Sequence, residues 1–281
     1  MEYLDANKCL DLMRLTLLLE SCNLSNITNY NWAPCYSNPI VTLQHLTRLN
    51  IESHSFSASA VYLSALTLPN LAHLTVSAFA TGSDYRLTSL VRFLERSTNL
   101  QYLSLNIPNL PYAFRSLKEI FQAASSVTHL LIAEHRNEDE SEDDLPADAQ
   151  HIMLNPFLRH LAETSHYSSD NDDCTPAFAP LFPKLESLEL SLYYSFTWET
   201  FVPEIFGIAT TLESNSIRPR RPLKSLRVLD TYPDIDSSES QYIPKTILLR
   251  VLNLQAHGSE IIYNHSGGSD MIAASRRFHE I

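Results

Sequence analysis

The chain is 281 residues long, enough for one large domain or two ordinary ones, and 44% of it is apolar, so it can bury a sizeable core. Its net charge of −12, with a pI near 5.3, weighs against non-specific binding to nucleic acid, because phosphate backbones select basic patches. No apolar run approaches the roughly 20 residues that span a bilayer, and five glycines are few for a fold that must bring backbone close to phosphate.

At the start of the chain, Glu2, Asp5 and Lys8 precede a short apolar run broken by Asp11 and Arg14, unlike a secretory signal. Cys9, Cys22, Cys35 and Cys174 have no zinc-finger spacing and read as free thiols in a reducing compartment. The sequons at Asn23, Asn26 and Asn264 therefore carry little weight, and a cytoplasmic or nuclear location is expected.

A six-residue pattern then recurs: apolar, two variable, apolar, one variable, apolar. It reads Leu12-Leu15-Leu17, Leu46-Leu49-Ile51, Leu71-Leu74-Val76, Leu100-Leu103-Leu105, Val127-Leu130-Ile132, Leu185-Leu188-Leu190, Leu223-Leu226-Val228 and Leu249-Leu252-Leu254. The eight starts step by 34, 25, 29, 27, 58, 38 and 26 residues. In a short strand the last two apolar residues of each copy point to one face, while the first anchors the turn entering the strand. One copy cannot bury its apolar face alone, so neighbouring copies are expected to stack into a parallel sheet.

Between copies, Leu87-Leu90-Val91-Leu94 and Leu117-Ile120-Phe121-Ala124 have the spacing of one apolar helical face. Asn155-Pro156 reads as an N-cap followed by proline at the first helical position, with Phe157, Leu158 and Leu161 as the buried face. Phe201, Val202, Ile205 and Phe206 suggest a further helix, with Pro203 in its first turn or kinking it. Three stretches are irregular. Residues 134–150 are strongly acidic, with seven carboxylates from Glu138 to Asp148, and read as a solvated insertion. Residues 165–180 are polar and read as a second loop, and the stretch from Asn23 to Pro39 also breaks the pattern. Ser266-Gly267-Gly268-Ser269 lies in an expected flexible tail over 264–281.

Strand and helix in alternation, at the shorter steps of 25 to 29 residues, predict an α/β leucine-rich-repeat solenoid. The predicted arrangement is a curved horseshoe over residues 1–281, with parallel strands on its concave face and helices on its convex face. The order of the copies is more particular. Leu66-Thr67-Leu68-Pro69-Asn70-Leu71 runs into Ala72-His73-Leu74-Thr75-Val76, and Leu181-Phe182-Pro183-Lys184-Leu185 runs into Glu186-Ser187-Leu188-Glu189-Leu190. Pro222-Leu223-Lys224-Ser225-Leu226-Arg227-Val228 and Leu252-Asn253-Leu254-Gln255-Ala256-His257-Gly258-Ser259-Glu260-Ile261 follow. In this order the chain resembles the leucine-rich-repeat region of the large F-box protein families of mushroom-forming fungi. The resemblance implies a substrate receptor of a ubiquitin ligase, whose repeats hold a target while an F-box docks on a Skp-type adaptor. No F-box is read ahead of the first expected copy at Leu12, so the resemblance supports the target-holding half, with adaptor binding expected only if an F-box lies upstream. The alternative is an F-box-less remnant or structural repeat protein with no ubiquitin-ligase role.

No catalytic motif is found: there is no Gly-x-Ser-x-Gly elbow, no His-Glu-x-x-His and no P-loop. The chain is therefore expected not to be an enzyme and to need no cofactor. His160 and His166, with nearby Asp170, Asp172 and Asp173, lack metal-ligand spacing and read as a solvated loop, so no metal is expected. Arg218-Pro219-Arg220-Arg221 reads as a nuclear-import patch or, equally, a loop before Leu223. The functional candidates are the outward positions of the strands: Arg48, Asn50, Glu52, His73, Thr75, Tyr102, Ser104, Asn106, His129, Glu189, Arg227 and Asn253. Their mix of aromatic, amide and charge suits an unidentified protein target, since Tyr and Arg often anchor interfaces.

Overall fold

Strand residues with alternating burial place Leu49 and Ile51, Leu74 and Val76, and Leu103 and Leu105 inside, as the two-residue period requires. The computed structural model describes residues 4–28, 40–55, 59, 62–80, 88–108, 114–135, 154–163, 181–192, 196, 198, 202–206, 221–230, 242–265 and 268–281. The fold is α/β, and every ladder among the described strands is parallel. The chain packs into two compact units. The first comprises Met1–Val127 with Ile132–Ser141, and the second Thr128–Leu131 with Glu142–Ile281.

In the first unit, β1 (Leu4–Asp5), β2 (Ser21–Thr28), β4 (Arg48–Ser55), β6 (His73–Ala80) and β7 (Tyr102–Pro108) lie side by side in that order. A small second sheet pairs β3 (Val41–Thr42) with β5 (Leu66–Thr67). Helices α1 (Ala6–Leu15), α2 (Thr88–Arg96) and α3 (Phe114–Ala123) alternate with the strands. Leu90, Phe93 and Leu94 of α2 are buried, as are Ile120 and Phe121 of α3. Strand β8 (His129–His135) is divided between the units.

In the second unit, β9 (Ser187–Leu192), β10 (Ser225–Asp230) and β11 (Glu260–His265) pair in strict register, Ser187 with Ser225 and Glu260, Leu188 with Leu226 and Ile261. Around them are α4 (Leu154–Glu163), a 3-10 helix over Val202–Phe206 that carries Pro203, α5 (Lys245–Ala256) and α6 (Met271–Phe278).

The same local geometry enters strand after strand. The N–H of the residue two before the strand donates to the carbonyl three residues earlier, closing a β-turn. This links Leu19 to Thr16, Leu71 to Leu68, Leu100 to Ser97, Val127 to Ala124, Leu185 to Phe182 and Gly258 to Gln255, at 3.0–3.2 Å. The next two N–H groups then fork onto one carbonyl of the preceding strand's entry. Ala72 and His73 donate to Thr47, Gln101 and Tyr102 to Ala72, and Lys224 and Ser225 to Glu186. In the first unit two side chains add to this. Asn70 Nδ2 donates to Gln44 O at 2.7 Å, and Asn99 Nδ2 donates to Pro69 O at 2.8 Å.

Two of the eight expected copies are corrected. Leu12, Leu15 and Leu17 do not enter a strand. They lie on α1 and the turn after it and are 59%, 82% and 59% exposed, while Cys9, Leu10 and Met13 form the buried face. The strand begins nine residues after Leu12, and Leu19, Cys22 and Leu24 hold the pattern. Leu249, Leu252 and Leu254 likewise lie on α5, whose buried face is Ile247, Leu248, Val251 and Leu254, leaving Leu249 49% exposed. The last strand is β11, with Ile261 and Tyr263 buried, and Gly258 stands where the first apolar residue was sought. Both errors have one cause: apolar residues three apart mark a helical face as readily as a turn into a strand.

Other expectations resolve differently. Asn23 to Thr28 belongs to β2, with a register shift against β4 between Leu24 and Ile27. Phe157, Leu158 and Leu161 form the buried face of α4, as expected. Residues 264–281 hold the end of β11 and then α6, whose N-cap Asp270 accepts from the N–H groups of Ile272 and Ala273 at 2.9 and 3.0 Å. Met271, Ile272 and Ser275 of that helix are buried, and Ser275 Oγ accepts from the Ile243 N–H at 3.0 Å. The acidic run from 136 to 150, the loop 165–180, and Cys35, Cys174, Leu87, Phe201, Arg218 and Arg220 lie outside the described residues. Cys9 and Cys22 are free thiols, and burial pushes the Cys22 thiol up.

Arg221 is a further correction. It is not part of a surface patch: it is 1% exposed, and its guanidinium donates to the carbonyls of Leu161, Leu181 and Phe182 at 2.7–3.2 Å. Burial lowers its pKa to about 10.

Candidate functional site

Because inward residues alternate with outward ones, each strand presents side chains on its open face at every second position. Parallel register then sorts these into rows. In the first unit Ser21, Arg48, His73 and Tyr102 form one row, and Asn23, Asn50, Thr75 and Ser104 the next. Glu52, Ser77 and Asn106 form the third. The structure thus brings eight of the sequence-derived candidates onto one face of one unit: Arg48, Asn50, Glu52, His73, Thr75, Tyr102, Ser104 and Asn106.

The rows have internal contacts. The His73 and Tyr102 rings lie 5.7 Å apart at a 35° tilt. Asn50 Nδ2 donates to Asn23 Oδ1 at 3.0 Å. Two acceptors are left over, since Asn50 Oδ1 and Asn106 Oδ1 are buried and accept no hydrogen bond among the described residues. A buried polar atom without a partner costs about 1–3 kcal/mol, so such atoms are rare where nothing binds them.

The second unit gathers three more. His129, Glu189 and Arg227 line one open cavity of about 270 Å³, together with Ser187, Ser225 and three charged residues the sequence reading did not single out: Glu186, Lys224 and Glu260. Glu189 and Arg227 are register partners on β9 and β10. Lys224 Nζ lies 3.0 Å from Glu186 Oε2, and Arg227 Nη2 lies 3.7 Å from Glu260 Oε1. Ser225 Oγ donates to Glu260 Oε2 at 2.9 Å, and Thr128 Oγ1 is 2.9 Å from His129 Nδ1.

Glu186 and Lys224 were missed because they stand just before the strand, outside the alternation that picked out the others. Glu260 was missed because the last strand was assigned to α5. For the same reason Asn253 is corrected: it lies on α5 and is no part of the strand face. His160 sits on α4 with its Nδ1 3.6 Å from Glu163, while His166 and its neighbouring aspartates are outside the described residues.

Among the described residues, no helix is long and apolar enough to cross a membrane, and no group of three His, Cys, Asp or Glu side chains is placed to hold a metal ion. Comparison of the chain with protein-family models, with curated proteins and with solved structures finds no match.

Proposed function

We propose that the chain is a leucine-rich-repeat solenoid whose open strand face holds a protein partner. It is a binding scaffold inside the cell, cytoplasmic or nuclear, and not an enzyme. The observation that carries this reading is the alignment of Arg48, His73 and Tyr102 in one row beside an amide row that keeps a buried, unpaired oxygen. Aromatic and arginine side chains are common anchors of protein interfaces, and an orphan acceptor beside them marks a place where the strand face is not satisfied by the fold alone. The repeated entry turn and forked hydrogen bonds support the solenoid part of the reading, because each copy touches mainly its neighbours. The likeness to F-box receptors supports a target-holding role in ubiquitin transfer. Docking on a Skp-type adaptor would need an F-box ahead of Met1.

Selection from a random dodecapeptide library tests the face. Peptides recovered by the wild-type chain should lose binding to an Arg48→Ala, Tyr102→Ala double variant, altered on the first unit's row alone, whose melting is unchanged. Peptides that bind both forms equally would refute the assignment of the partner to this face.

A further inference from the structure

The cavity of the second unit has an unequal charge balance. Its two fixed cations are each matched: Lys224 by Glu186 at 3.0 Å, and Arg227 by Glu260 at 3.7 Å. Both oxygens of Glu260 are occupied, one by Arg227 and the other by Ser225 Oγ at 2.9 Å. The Nδ1 of His129 is engaged with Thr128 Oγ1. Glu189 remains. It is half-buried, lines the cavity, and has no hydrogen bond or ion pair among the described residues, although Arg227 stands opposite it on the next strand.

We infer that this cavity is a receptor for one cationic side chain, an arginine or lysine, presented by a partner polypeptide, with Glu189 as its carboxylate. The inference rests on the reading of the strand faces as protein-binding surfaces and names the chemistry of one subsite on the second unit's face. Size agrees with charge. About 270 Å³ falls below the ~300–1,000 Å³ usual for small-molecule sites and is open on one side, which suits a single side chain entering from a chain that lies across the strands. An anionic guest would meet Glu189 directly and find both cations already neutralised. A cationic guest pairs with the free carboxylate and disturbs neither existing pair. Ser187 and Ser225 supply hydroxyls on the cavity wall that can accept further N–H groups of a guanidinium. Arginine, with five donors in a fixed fork, should exceed lysine.

The test uses the whole chain, isotope-labelled, titrated with acetyl-arginine methylamide and, separately, acetyl-glutamate methylamide at matched ionic strength. The arginine compound should give saturable amide shifts at Ser187, Glu189, Ser225 and Arg227, with affinity on the order of 1–10 mM, as fits a single contact. The glutamate compound should give none, and Glu189→Gln, which keeps the shape, should weaken the arginine response at least about fivefold, the low end of a charge-assisted hydrogen bond. An absent response, an equal response to both compounds, or a Glu189→Gln variant that responds like wild type overturns the inference. If library peptides lose binding to the Arg48→Ala, Tyr102→Ala variant while the arginine compound gives no response, the strand-face reading stands and only the cationic guest is refuted.

Discussion

Arg221 Nη1 donates to the carbonyl oxygen of Leu161 at 3.0 Å, joining residues 60 apart in the chain. Leu161 is in the last turn of α4, where carbonyls have no partner within the helix. The same guanidinium holds the Leu181 and Phe182 carbonyls of the turn that enters β9, where Phe182 has a φ of 48°. One buried cation thus ties a helix end to a strand entry within the second unit.

Arg221→Met should therefore destabilise strongly. It removes several charge-assisted bonds at once; the Phe182 carbonyl keeps the Leu185 N–H, but the guanidinium that joins the three carbonyls is lost, at a cost of about 3 kcal/mol or more. Urea unfolding followed by circular dichroism measures it. Arg221→Lys should recover little, since an ammonium cannot reach all three acceptors as a planar fork does. A variant within about 0.5 kcal/mol of wild type would mean that the carbonyls find other donors.

The corrected copy on α5 makes a paired prediction. Leu249→Asp places a charge at an exposed position of that helix and should shift stability by no more than about 0.5 kcal/mol. Val251→Asp, two residues on, buries an unpaired carboxylate and should abolish cooperative folding of the second unit. The reverse order of effects would restore Leu249 to a strand interior.

How much was legible in the sequence follows from these positions. Six of the eight copies were found because Leu, Ile or Val fill all three inward places. The first true copy escaped because Cys22 occupies an inward place, and the last because glycine replaces the anchoring leucine at position 258. The outward candidates could be read by alternation alone, so within each unit those on true strands share a face. Which of them meet depends on cross-strand register, and a register is a long-range pairing that no local pattern encodes. The role of Arg221 was hidden for a similar reason. Its three acceptors come from segments far away in the chain, and a basic cluster is ordinarily a solvated loop.

Alkaline pH should weaken the fold through two tyrosines. Burial, with the nearby Cys22 and Cys9 thiols, raises the pKa of Tyr62, and burial with Asp230 raises that of Tyr263. Below about pH 10 both are protonated in folded and unfolded chains alike, and their contribution is fully present. Above pH 10 the unfolded chain ionises them while the folded chain keeps them neutral, so stability falls as pH rises. The slope from two such groups approaches about 2.7 kcal/mol per pH unit. Denaturant midpoints between pH 9 and pH 11 give the slope, and Tyr62→Phe should roughly halve it. An unchanged slope in that variant would mean that Tyr62 ionises normally in the folded chain.

The last prediction concerns the unpaired amide of Asn106. Its oxygen is buried and accepts no hydrogen bond among the described residues, so the folded chain carries a desolvation cost without a matching bond. Asn106→Leu keeps the approximate shape and removes that cost. Its register partner on β6 is Ser77, so the change breaks no cross-strand ion pair. Stability should stay level or rise, by up to about 1–3 kcal/mol, as when a binding surface is held at the expense of folding. The same change should weaken library peptides that dock beside Tyr102, because it replaces an amide of the strand face with an apolar side chain. Thermal melts and peptide titrations measure the two halves separately. A variant that melts lower while binding peptides as before would show that the amide serves the fold, and the first unit's face would then lose Asn106 as a contact.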